Sequence, residues 1–107
     1  MDIPVFSFND IADYTEAIKL INDDSFFINN RIYNAIKYGI NNYLLSVYLY
    51  DLNLKNGMTY SVKCLRIKWE ELLTDANKYF EEIEEYEKCS EIMKLIIKLN
   101  DGEFNAK

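Results

Sequence analysis

The chain has 107 residues, half of them apolar or aromatic, with three glycines and one proline; that is enough for one domain, residues 1–107, with a real core, and it excludes a disordered chain. A net charge of −6, no histidine and two isolated cysteines, Cys64 and Cys89, argue against a structural zinc site, a disulfide scaffold and direct binding of nucleic acid or anionic lipid. Met1-Asp2-Ile3-Pro4 is unlike a secretory leader, and no window approaches the ~18 uninterrupted apolar residues of a membrane span, so a cytoplasmic protein with no membrane partner is expected.

The first predicted element is a helix over about 9–22. Ile11, Tyr14, Ile18 and Ile21 recur at helical spacing, and Ser7 or Asn9 can accept from the orphan amides at its start. Asn22-Asp23-Asp24-Ser25 interrupts the pattern and can cap a second helix. Ile28, Ile32, Ala35 and Ile36 share a face of that helix, and Gly39 is the expected stop.

A β-hairpin over about 43–67 follows, rich in Tyr, Val, Leu and Thr. Lys55-Asn56-Gly57 is the turn. A two-residue Asn-Gly loop would pair Lys55 with Met58; a three-residue loop with Gly57 at positive φ pairs Leu54 with Met58. The second register is preferred because it stacks Leu52 on Tyr60, Tyr50 on Val62 and Tyr48 on Cys64, leaving Asp51, Asn53, Thr59, Ser61 and Lys63 wet. Leu45, Val47, Leu49, Leu65 and Ile67 then fall on the second face, so that end of the hairpin is expected to be covered on both sides.

The last third, about 68–99, reads as helix, and the architecture is α+β: two N-terminal helices, a hairpin and a helical C-terminal third. At about 100° per residue, Trp69, Leu72, Leu73, Ala76, Tyr79, Phe80, Ile83 and Tyr86 form one stripe. Beyond Tyr86 the apolar residues Cys89, Ile92, Met93, Leu95, Ile96, Ile97 and Leu99 cluster on the opposite side. A break near 87–90, with Ser90 as a new N-cap, would let both pieces face one core and leave the chain a monomer. An unbroken helix would offer its second stripe to another copy; the break, and the monomer, are expected. Asp101-Gly102 closes the helical region, with a frayed tail after it.

Charge is uneven along the chain. Residues 1–68 hold seven acids and seven bases, whereas residues 69–107 hold eleven acids and five bases. Between 69 and 91 the acids are Glu70, Glu71, Asp75, Glu81, Glu82, Glu84, Glu85, Glu87 and Glu91, offset only by Lys78 and Lys88. Like-charge neighbours such as Glu81 with Glu85 and Glu84 with Glu87 each cost ~0.2–0.5 kcal/mol. A solvated face usually mixes signs, so this one reads either as plain solubility or as a surface for a positive partner. Nine tyrosines, Tyr79 and Tyr86 at the edges of the stripe among them, suit half-wet contacts.

Catalytic patterns are missing. There is no phosphate-cradling glycine loop, no nucleophile elbow and no paired-histidine metal motif. Glutamates at Glu81, Glu82 and Glu85 have spacing open to a hard cation, but such a site needs ligands converging from several elements. The expectation is no enzyme, no metal and no cofactor. In size and acidity the chain is similar to small phage-encoded inhibitors, anti-CRISPR and DNA-mimic proteins among them, and to bacterial immunity proteins that block toxic nucleases; the likeness is one of class, not of sequence. It implies a protein-binding inhibitor of a nucleic-acid-handling protein with a basic surface. The expected contacts are Glu81, Glu82, Glu84, Glu85, Asp75, Tyr79 and Tyr86. The competing reading is a non-enzymatic structural or regulatory subunit of a cytosolic or phage complex.

Overall fold

A computed structural model of the chain describes residues 2–101. Its elements are β1 (Val5–Ser7), α1 (Tyr14–Asn22), α2 (Ser25–Asn41), β2 (Ser46–Asn53), β3 (Thr59–Leu65), a 3-10 turn (Arg66–Lys68), α3 (Trp69–Glu82) and α4 (Tyr86–Leu99). The domain is α+β, as expected, with helices at its N-terminus and through its C-terminal third. The expected tail after Gly102 lies outside the described residues.

Strand β1, absent from the sequence reading, is too short to show a period. It pairs in parallel with β2, Phe6 beside Leu52, and its Phe6 ring meets Phe27 and Tyr50 edge-on at 5.2 and 5.8 Å. The chain then ties down the hairpin: Phe8 N–H donates to Asn53 O, and Lys55 N–H to Ile11 O, each at 2.8 Å. The second bond takes the Ile11 carbonyl, which a helix from residue 9 would need for Thr15 N–H. Helix α1 therefore starts at Tyr14, and its cap is Asp13, which accepts from Thr15 N–H at 2.8 Å, rather than Ser7 or Asn9.

The cap of α2 comes from the expected segment, Asp24 accepting from Phe27 N–H at 3.0 Å. Gly39 does not stop this helix. It lies inside it, where an added Cβ would stand 2.6 Å from the Trp69 ring and 2.7 Å from a Val47 methyl. Close approach of α2 to β2 and α3 requires this glycine, and the helix runs on to Asn41. It closes on Tyr43 in the left-handed region, φ 55°, with Tyr43 N–H bonded to Ile40 O and Leu44 N–H to Gly39 O.

The hairpin turn has the three-residue form. Leu54 N–H donates to Met58 O at 2.9 Å, Gly57 sits at φ 83°, and Leu52–Tyr60 and Tyr50–Val62 are paired. Past Tyr50 the expected register fails. The ladder slips between Tyr48 and Tyr50, so Tyr48 faces Lys63 and Val47 faces Cys64. This bulge turns Val47 and Leu49 inward to join the core and sends Tyr48 out. Arg31 of α2 holds it: buried among apolar side chains, its Nε donates to Leu49 O and its Nη2 to Tyr48 O at 2.9 Å. Contrary to expectation, Leu45, Leu65 and Ile67 are uncovered.

The core lies between the sheet and the helices. Trp69, Leu73, Ala76 and Phe80 of α3 are fully buried with Ile36 and Ile40 of α2, Leu52 of β2 and Ile92 of α4. The Trp69 indole N–H donates to Cys64 O at 3.1 Å, fixing α3 to the end of β3. The C-terminal helix is broken, but at 83–85 rather than 87–90, and Ser90 lies inside α4 instead of capping it. The fold-back buries Ile92, Leu95 and Leu99 and half-buries Ile96, while Met93 and Ile97 stay exposed.

Candidate functional site

The break between α3 and α4 is a tight corner built on glutamates. Ile83 N–H donates to Tyr79 O, Glu84 N–H to Glu81 O and Glu85 N–H to Phe80 O, at 3.2, 3.1 and 2.8 Å. These last two bonds are the paired closure of a helix whose next residue turns left-handed. That residue is Glu84, at φ 60°, where glycine is favoured because it has no Cβ to crowd the carbonyl. The corner forms without glycine or proline because it lets Phe80 and Ile92 enter the same core. Burying two such side chains is worth roughly 3–6 kcal/mol, more than the strain of one left-handed residue, roughly 1–2 kcal/mol.

Glu81, Glu82, Glu84, Glu85 and Glu87 are all exposed around this corner. Glu81 and Glu82 occupy the last turn of α3, the negative end of its dipole, and no base accompanies them there. Glu85 stands at the N-cap of α4 and Glu87 in its first turn, where negative charge is favoured. Asp75, Tyr79 and Glu82, spaced four and three apart, form a strip along α3 that leads into the corner. Tyr79 is half-buried, edge-on to Phe80 at 5.3 Å, and Tyr86 is 63% exposed at the start of α4. Six of the seven predicted contacts thus gather at the corner or the turn before it; Asp75 stands apart, about 10 Å from Glu82 along the helix axis.

Of the two bases in this stretch, Lys78 lies one turn before Glu81 and Glu82 on α3 but forms no ion pair with them among the described residues, and Lys88 turns away from the corner. Lys88 reaches to α2, where its Nζ donates to Asn30 Oδ1 at 2.7 Å and lies over the Phe80 and Phe26 rings at 5.0 and 5.7 Å. Among the described residues the ion pairs are Lys37–Glu91 at 3.3 Å and Lys68–Glu71 at 3.7 Å, neither at the corner. Burial first, and then the Glu81 carboxylate, push the Cys89 thiol up. Burial pushes Cys64 up to about 11, so neither cysteine is an activated nucleophile.

Sequence reasoning missed the left-handed backbone of Glu84, the withdrawal of Lys88, and Arg31. Arg31 carried no signal, since the carbonyls it serves are exposed only by a bulge 18 residues away. Among the described residues no group of three or more His, Cys, Asp or Glu side chains converges to hold a metal ion. No helix there is long and apolar enough to cross a membrane. No family model, no curated protein and no solved structure matches the chain.

Proposed function

We propose that this chain is a non-enzymatic inhibitor that inserts the corner between α3 and α4 into a basic groove of a nucleic-acid-handling protein. There the carboxylates of Glu81, Glu82, Glu84 and Glu85 take the places of phosphates. Tyr79 and Tyr86 flank them as large, half-wet contact surfaces. Charge complementarity speeds and orients the encounter and gives it a steep salt dependence.

One observation carries this reading. Glu84 occupies a left-handed cap position, beside two further glutamates at the unfavourable end of α3, with no base paired to any of them among the described residues. Glycine at 84 and lysine at 81 or 82 would suit the isolated fold better. Acid in place of them fits a surface whose charge serves a partner. Affinity capture on immobilised protein tests the reading: a basic protein retained at low salt, released at high salt and lost with Glu84→Lys/Glu85→Lys supports it. Capture that ignores salt or survives that substitution refutes it. The exposed apolar end of the sheet favours a second reading, a structural or regulatory subunit of a larger cytosolic or phage complex.

A further inference from the structure

Lys88 stands where the local chemistry offers its charge an obvious partner, and it takes another. It is the third residue of α4, inside the first turn, at the positive end of the helix dipole. From that position a side chain ordinarily reaches back over the helix start. Glu85 and Glu84, three and four residues earlier, are its neighbours there. Pairing with them would ease both the dipole and the crowding of glutamates. Among the described residues Lys88 makes neither pair.

A clasp on α2 and α3 holds it instead. The Lys88 Nζ donates to Asn30 Oδ1 at 2.7 Å and lies over the Phe80 and Phe26 rings at 5.0 and 5.7 Å, within reach of their negative faces. Asn30 is oriented for this contact. Its Nδ2 donates to Phe26 O at 2.8 Å, one turn back in α2, which leaves Oδ1 for the ammonium. Phe26 is 56% exposed in the first turn of α2, so burial alone gives no reason for an aromatic ring there; a cation above it does. We propose that Asn30 and Phe26 are positioning residues for the acidic corner. They keep Lys88 on α2 and so leave Glu84 and Glu85 unneutralised for a cationic partner. This role rests on the reading of the corner as a contact for a basic groove. When the clasp opens, Lys88 falls back on Glu84 and Glu85, and the corner loses part of its field.

An oligolysine peptide probes the corner without the biological target. Calorimetry at low salt follows its binding to the full chain, beside circular dichroism melts. Glu84→Lys/Glu85→Lys weakens binding by about tenfold or more, which puts the probe on the corner. Asn30→Ala/Phe26→Leu weakens it roughly twofold to fivefold, because the released cation pairs with the glutamates. Lys88→Met alone binds the probe at least as tightly as the wild type. Added to the clasp variant, it restores wild-type binding. Lys78 is present in every chain compared and drops out of the differences. A clasp variant that melts lower but binds the probe like the wild type shows a structural tie only, and overturns the proposal. A loss that Lys88→Met fails to restore overturns it too, as does oligolysine binding that Glu84→Lys/Glu85→Lys leaves intact. The inhibitor reading fails separately: a chain that shows this whole pattern yet captures no basic protein has the clasp without the target.

Discussion

Two helices in this domain end the same way, and neither ends as its local chemistry would prefer. Helix α2 closes on Tyr43 at φ 55° and α3 on Glu84 at φ 60°, each with the paired backbone bonds that normally accompany glycine. The hairpin, by contrast, places glycine at its left-handed residue, Gly57, φ 83°. The difference follows what lies beside each position. Gly57 adjoins a plain turn; Tyr43 leads into the exposed apolar end, and Glu84 sits at the centre of the acidic corner. Both strained closures stand beside exposed surfaces, one apolar and one acidic, and the function proposed above gives the acidic one a role in contact rather than in stability.

The comparison depends on a core strong enough to enforce both closures, and that gives the largest effect. Phe80, fully buried and the carbonyl partner of Glu85, holds the corner from inside. Phe80→Ala should lower stability by ~3–5 kcal/mol in urea denaturation; a loss under ~1 kcal/mol would mean that the corner is not anchored as described.

Next come the two devices that set the apolar end. Gly39→Ala drives a methyl against Trp69 and Val47 and should destabilise by ~1–3 kcal/mol. Arg31→Met keeps the aliphatic stem but strips the bulge carbonyls of Leu49 and Tyr48 of their donors, which should cost ~1–3 kcal/mol. Hydrogen exchange should then speed up first around 46–49, and uniform exchange across the sheet would contradict the local role of Arg31.

The caps themselves respond in the opposite direction. Glu84→Gly and Tyr43→Gly should each stabilise by roughly 0.5–1 kcal/mol, because relief of left-handed strain exceeds the added backbone entropy of glycine. Calorimetry on the two variants checks the sign; a lower melting temperature for either would remove that cap from the argument. Smallest of all, alanine at Glu81, Glu82 or Glu85 should shift stability by less than ~0.5 kcal/mol.

These effects also show which parts of the fold can be read in sequence. The α3 stripe is legible because Trp69, Leu73, Ala76 and Phe80 keep an unbroken helical period and all go to the core. The hairpin turn is legible because Asn56-Gly57 restricts the loop and the alternation of Leu52 and Tyr50 selects its register. The shift of the stripe after Tyr86 reveals that the helix must break. It does not reveal where, since the closure falls on a glutamate and carries no glycine or proline to mark it. Distance hides the rest. The slip at Leu49 depends on Arg31 arriving from another element, and the start of α1 depends on bonds from Phe8 and Ile11 to the hairpin. Of the corner, the run of glutamates is plain in sequence; that Lys88 turns away from them toward Asn30 is not.

The central claim is that the corner trades local stability for charge directed at a basic partner. Its most direct test is capture from a cell lysate at low and high salt, with the wild type beside a variant carrying lysine at Glu81, Glu82, Glu84 and Glu85. Denaturation midpoints verify that the two are equally folded. The account predicts that the wild type retains a basic protein at low salt, releases it at high salt, and that the variant never retains it. Equal capture by wild type and variant, or capture of no basic protein by either, would contradict it.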